Sequence, residues 1–177
     1  PTENRNMAYV GEHIQTGNDR VILDPRTLAK MLDAVDVTDS ELVLDVGAGY
    51  GYSSAIIAYL AEAVVALESE DKPANEMQYA LIENGIDNVI VEQGSLLDGA
   101  ASHAPYDVIF VQGGVEFIPE QIISQLKEGG RMVALFMEGA LGIVKIGYKV
   151  KGGLNWRFAF NAGAPVLSDC EKERDRE

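Results

Sequence analysis

Residues Leu42–Ser54 read Leu-Val-Leu-Asp-Val-Gly-Ala-Gly-Tyr-Gly-Tyr-Ser-Ser, an apolar strand that turns through three alternating glycines into a helix. An apolar run with so little polar alternation suits a central parallel strand, whose two faces are both covered. A parallel neighbour needs a crossover, and a helix over roughly Tyr52–Ala63 supplies one before the next apolar run, Val64–Leu67.

The rest of the chain repeats that alternation of short β-branched runs and helical segments, the mark of a doubly wound α/β domain. The first helix is expected over Pro25–Val35. Asp24 is placed to cap it, Pro25 suits its first turn, and Leu28, Met31, Leu32 and Val35 form one apolar stripe. Further strands are expected at Val89–Glu92, Tyr106–Val111 and Arg131–Phe136, with helices over Pro73–Asn84 and Pro119–Lys127 between them. Beyond Phe136 the rhythm changes. Leu141–Val150 and Trp156–Phe160 flank Lys151-Gly152-Gly153, which reads as a hairpin. The expected fold is therefore a mostly parallel seven-stranded sheet that ends in an antiparallel strand pair. A length of 177 residues fits one domain, 1–170, and the charged stretch from Cys170 to Glu177 reads as a tail.

The glycine turn dictates a ligand class. Glycine tolerates the backbone angles of a tight turn and lets a ligand approach the main chain closely. The helix that follows offers unpaired N–H groups near Gly51–Ser53. Nineteen residues past Gly49, Glu68 closes the second strand, where a carboxylate accepts hydrogen bonds from both hydroxyls of a ribose. An adenosine-containing ligand follows. A dinucleotide site favours G-x-G-x-x-G, whereas the spacing here is G-x-G-x-G and Tyr52 fills the third-glycine position. Asp45, two residues before Gly47, repels a pyrophosphate but suits the ammonium and sulfonium of S-adenosylmethionine. No G-K-[ST] follows to make a P-loop. The expected cofactor site comprises Asp45, Gly47, Ala48, Gly49, Tyr50, Tyr52 and Ser53 from the turn. Glu68 and Ser69 join it after the second strand, Gly94, Ser95 and Leu96 after the third, and Gln112 after the fourth.

The run Val43–Ala55 resembles the cofactor motif of protein-L-isoaspartate O-methyltransferases. Tyr106–Val111 with Ile118-Pro119, Gln125–Arg131 and the ending Phe158–Leu167 are similar to later motifs of that family. The resemblance covers Ala8 to Leu167 and implies methyl transfer from S-adenosylmethionine to a protein carboxylate. It also marks two departures. Leu23 stands where the family carries a serine two residues ahead of a proline, and the family's preceding helical segment has no counterpart before it. A methyltransferase of the same fold acting on another protein or small-molecule acceptor, or a non-catalytic cofactor-binding module, are the alternatives.

A carboxylate acceptor is already a nucleophile, so in-line displacement at a sulfonium requires orientation and exclusion of water but no base. No catalytic dyad is therefore assigned, and His13 and His103, the two histidines, read as surface residues. The substrate mouth is expected from Tyr9–Pro25 (with Glu12 and His13), Gly113–Phe117 (with Glu116) and Asn161–Leu167. Trp156 and Tyr148 read as core or sheet-surface residues. Glu68-Ser69-Glu70-Asp71 lacks histidine or cysteine partners and reads as solvated charge, not a metal site. With 28 acidic against 14 basic side chains and no basic run, nucleic acid and anionic membranes are disfavoured partners. One cysteine, Cys170, excludes an internal disulfide, and no apolar run reaches spanning length, so the cytoplasm is the expected compartment.

Overall fold

The computed structural model describes residues 14–17 and 20–172. A short hairpin, β1 (Ile14–Gly17) and β2 (Arg20–Ile22), precedes α1 (Pro25–Val35). Then come β3 (Leu42–Val46), α2 (Tyr52–Leu60), β4 (Ala63–Glu68), α3 (Asp71–Glu83) and β5 (Val89–Gln93). The chain continues through β6 (Tyr106–Val115), α4 (Glu120–Ser124), β7 (Leu126–Glu138), β8 (Leu141–Val150) and β9 (Gly153–Asn161). Seven strands form one sheet in the order β5-β4-β3-β6-β7-β8-β9. The first five run parallel, β8 is antiparallel to β7, and β9 is antiparallel to β8. This is the expected doubly wound sheet with its antiparallel end.

Strand periodicity divides the core in two. Val43, Val64, Val108 and Phe110 face one side, where Leu28, Met31 and Val35 of α1 and Ile57 of α2 cover them. Leu44, Val65, Ile109 and Met132 face the other, packed with Leu96, Ile122 and Leu126. α1 begins as its sequence requires: Asp24 accepts from the Thr27 amide at 2.9 Å and from the Thr27 hydroxyl at 2.6 Å. Beyond its end, Arg131 on β7 clamps the connection to β3. Its guanidinium donates to both carboxylate oxygens of Glu41, at 2.7 and 2.8 Å, and to the Asp36 carbonyl at 2.6 Å.

Four departures from the sequence reading have physical causes. β6 does not stop at Val111 but runs through Gln112-Gly113-Gly114 to Val115. The pairing Phe110↔Val133 is followed by Gly114↔Leu135, so β6 bulges by two residues as it takes on another partner. That partner is the C-terminal segment: Gly114 donates to the Pro165 carbonyl at 3.0 Å and accepts from the Leu167 amide at 2.8 Å. The helix expected over Pro119–Lys127 is cut to Glu120–Ser124, because Leu126 already pairs with Tyr106 as a strand residue. β9 begins at Gly153, since Lys151 and Gly152 alone make the turn, both at positive φ. Cys170 is not part of a tail; it is 3% exposed in the core and ends a short 3₁₀ turn over Ser168–Cys170. The β1–β2 hairpin occupies part of the stretch expected to border the substrate. Tyr9, Glu12, His13 and residues 173–177 lie outside the described residues. Leu23 is 4% exposed and packs into the core with α1.

Candidate active site

The glycine turn sits at the carboxyl end of β3, between the sheet and α2. Gly47, Gly49 and Gly51 have φ of 77°, 59° and 88°, all in the region that side chains resist. The amides of Gly47 and Ala48 are anchored on the Leu67 carbonyl at 2.9 and 3.0 Å. α2 starts at Gly51 with no side-chain cap, which leaves its first N–H groups for a ligand. A Cβ built on Gly49 meets nothing within 4 Å, so the turn faces open space there.

Glu68, at the end of β4, meets this turn. Its Oε2 accepts from the Gly49 amide at 2.6 Å, and its Oε1 accepts from the amides of Ser69 and Glu70 at 2.8 and 3.1 Å. The Gly94 amide donates to the Glu68 carbonyl at 3.0 Å, drawing the loop after β5 to the same place. Beside these loops opens a cleft of about 620 Å³, lined by Ser69, Glu70, Gln93, Gly94, Ser95 and Leu96. That volume is in the range of small-molecule sites. Ser95 also accepts from the Leu97 amide at 3.3 Å, and Leu96 is 2% exposed, mostly committed to the core.

Asp45 is wholly buried and its carboxylate is shared among three side chains. Oδ2 accepts from the hydroxyls of Ser53 at 2.7 Å and Ser54 at 2.6 Å, and Oδ1 from the Gln112 amide at 3.0 Å. Burial pushes its pKa up, the charge of Glu68 adds to that, and the three donors pull it back. The network ties β3, the first turn of α2 and the β6 bulge together behind the glycines. Ser53 and Gln112 are thereby held on Asp45, behind the glycine turn. Tyr50 and Tyr52 stand apart: they line a different cleft, of about 550 Å³, between α2 and α3.

Two features of the site escaped the sequence. Ser54 is fully buried on Asp45, yet serine beside serine at a helix start reads as capping. The cleft bordered by Ser69 and Gly94 has as its other wall Leu167, the last residue of the Asn161–Leu167 stretch expected at the substrate mouth, together with Ser168 and Asp169, which were not expected. The adjacent Gly113 and Gly114 signalled the crossing, since two bare positions in a strand invite a close backbone. A Cβ on Gly114 lies 2.9 Å from the carbonyls of Ala164 and Pro165. His103 is exposed at the end of a 3₁₀ turn. Among the described residues no group of three His, Cys, Asp or Glu is placed to hold a metal ion, and no helix is long and apolar enough to cross a membrane.

Residues 1–144 match the family described as Protein-L-isoaspartate(D-aspartate) O-methyltransferase. A Protein-L-isoaspartate O-methyltransferase 2 of Polaromonas sp. is 37% identical over 149 residues, 82% of this chain and 71% of that relative. A Protein-L-isoaspartate O-methyltransferase 1 of Rhodopseudomonas palustris is 36% identical over 133 residues, 75% of this chain but 54% of its own length. The chain thus spans about half to seven tenths of these curated relatives. A solved protein-L-isoaspartate O-methyltransferase superposes with a TM-score of 0.78 at 25% identity, covering 87% of this chain and 51% of that one. A Plasmodium falciparum protein of the same description, in complex with S-adenosyl-L-homocysteine, also gives 0.78, over 93% of this chain and 83% of its own. At 18% identity, that second likeness speaks for the fold alone.

Proposed function

Because the chain belongs to the protein-L-isoaspartate(D-aspartate) O-methyltransferase family, we propose that it transfers a methyl group from S-adenosylmethionine to a carboxylate of a protein, the isoaspartyl carboxylate first. The observation that carries this reading is the hydrogen bond from the Gly49 amide to Glu68, which holds the glycine turn against the strand end whose next residues, Ser69 and Glu70, line a cleft large enough for a nucleoside. The residues present fit the cofactor. The bare start of α2 and the open space over Gly49 suit its amino-acid end, Glu68 suits its ribose, and Ser69, Gly94, Ser95 and Leu96 suit its base. Asp45, with Ser53 and Gln112, shapes the turn from behind. The single cysteine, a buried free thiol, fits a reducing compartment such as the cytoplasm.

Bound there, the cofactor supplies an electrophilic methyl on a sulfonium. An acceptor carboxylate held beside it would be the nucleophile toward that methyl, and transfer would give a methyl ester and a neutral thioether with no proton moved. The chain's contribution is alignment and dryness. The turn would fix the donor by main-chain contacts, while the space over the bulge at Gln112-Gly113 is filled by Leu167. The segment ending at Leu167 closes the far side of the cleft. A second reading rests on Leu23. It is buried with α1, where the family resemblance calls for a serine, and it favours a different acceptor on the same cofactor site.

Calorimetry with S-adenosylhomocysteine and radiolabelled methyl transfer to an isoaspartyl peptide, with its aspartyl isomer as control, test both. Binding with transfer to the isoaspartyl peptide alone is the expected result. Binding without transfer moves the assignment to another acceptor, and no binding ends the methyltransferase reading.

A further inference from the structure

Residues 139–168 hold Lys145, Lys149, Lys151 and Arg157 but no aspartate or glutamate, in a chain with a formal net charge of −14. Spaced along the sequence, these cations form no run; the β8–β9 hairpin gathers them at one end of the sheet. β9 is the last strand, and among the described residues its outer edge pairs with nothing. An open edge presents unpaired N–H and C=O groups, which proteins ordinarily guard with proline, charge or a covering element. β9 has no proline, and its one charged side chain is Arg157.

Apolar side chains stand where a guard is expected. In the ladder Lys145 pairs with Phe158 and Gly147 with Trp156, so Lys145, Phe158 and Trp156 share a face. Phe158 is 64% exposed. Trp156 stands edge-on to Phe136 at 4.8 Å, and the Lys145 ammonium lies 5.2 Å from the Phe136 ring centroid. Arg157, on the opposite face, lies 5.3 Å from the Tyr148 ring. Neither Lys145 nor Arg157 makes an ion pair among the described residues. Lys149 is committed, donating to the carbonyls of Ile123 and Leu126.

We propose that the β9 edge is a docking site for an acidic polypeptide segment in extended conformation. The segment adds a strand beside β9, sets an apolar side chain against Phe158 and Trp156, and turns carboxylates toward Lys145 on one face and Arg157 on the other. Charge chooses this occupant: β9 paired with β9 of a second copy sets two cationic strands together, and a nucleic acid makes no use of a strand edge.

The test is fluorescence anisotropy with the full chain and a labelled Glu–Val peptide of about ten residues, the length of a long strand, in which Glu-Glu and Val-Val pairs alternate so that each face carries both residue types. Saturable binding is expected, weakened at least about tenfold by Phe158→Glu and by Lys145→Glu, as for anchor residues of an interface. The same peptide N-methylated at every residue, which keeps its charge but has no N–H on either edge to extend a ladder, is expected not to bind. Unchanged melting temperature and S-adenosylhomocysteine affinity show that the variants remain folded. No binding of the Glu–Val peptide, equal binding of its N-methylated form, or preference for a thymidine oligonucleotide overturns the proposal. So does a wild-type dimer in light scattering that Phe158→Glu makes monomeric.

Discussion

The Gly49 amide donates to Glu68 Oε2 at 2.6 Å, although nineteen residues and a crossover helix separate the two. Glu68 is completely buried and receives two further amides, from Ser69 and Glu70. One carboxylate therefore holds the glycine turn and the loop that borders the cleft together. Glutamine at this position keeps the shape but turns an –NH₂ toward at least one of those N–H donors. Glu68→Gln is expected to cost about 1–3 kcal/mol of stability, the penalty for a buried polar group left unpaired. Under the function proposed above, in which this carboxylate meets the sugar, it is also expected to weaken S-adenosylhomocysteine by roughly tenfold or more. Thermal unfolding and calorimetry separate the two effects. A stability loss with unchanged affinity limits Glu68 to a scaffold role.

Asp45 predicts a contrast between two substitutions. Asparagine can turn its oxygen to Gln112 and its –NH₂ to Ser53 and Ser54, whose hydroxyls accept as readily as they donate. Because burial already disfavours the charged carboxylate, Asp45→Asn is expected to cost only about 1 kcal/mol. Alanine leaves the Gln112 amide and two hydroxyls without their acceptor in a closed space, and the expected cost is about 3 kcal/mol or more. Urea unfolding measures both. Equal losses contradict the network.

Much of this architecture was legible beforehand because local signals agreed with tertiary ones. The limits of α1, β3 and β8 are those the sequence predicts, since α1 has a capped start and β3 and β8 are mostly apolar runs with a glycine turn close behind. Glu68 was found by its distance from the glycines, and the structure joins the two directly. What could not be read depended on partners remote in sequence. Gln112-Gly113-Gly114 looks like a loop until residues 164–167 pair with it. Cys170 looks like the start of a charged tail until its side chain is buried in the cluster that holds Val115 of β6. Tyr50 and Tyr52 sit among the glycines, but nothing local tells which side of α2 they occupy. Strand register alone tells that Lys145 and Arg157 flank the β9 edge from opposite faces.

The clamp at the foot of the sheet gives a pH dependence. The Arg131 guanidinium, through its hydrogen bonds, holds the Glu41 carboxyl down at about 2 from the ordinary 4.5. A depressed carboxyl contributes stability fully above its unfolded value and loses it as pH falls toward its folded value. Glu41→Gln is therefore expected to be less stable than the wild type at pH 7, by about 1–3 kcal/mol for a charged, bidentate pair. The gap stays constant down to about pH 5 and narrows between there and about pH 2. Parallel urea titrations across that range check the sign, and a gap that widens with acid contradicts it.

Gly113 offers a way to open the cleft from its far wall. Its φ is 145°, a region nearly closed to other residues, and a Cβ there lies 2.7 Å from Leu167 Cδ2 and 2.8 Å from Cγ. Leu167 is 1% exposed and has no free side to move toward, so Gly113→Ala is expected to undock the segment carrying Leu167, Ser168 and Asp169. Cys170, the only cysteine, reports on this directly. Burial holds its thiol unreactive, with the pKa pushed up to about 11, so its reaction with a disulfide reagent at neutral pH is expected to be slow in the wild type and markedly faster in the variant. S-adenosylhomocysteine affinity falls in step. Gly85→Ala is the control, because Gly85 also has a positive φ, 65°, but a Cβ there meets nothing within 4 Å. It carries a comparable strain of about 1–2 kcal/mol without touching the cleft. Thiol exposure and ligand loss in Gly113→Ala but not in Gly85→Ala place the effect at the crossing of Gly113 and Leu167. The same loss in both variants reduces it to general destabilisation.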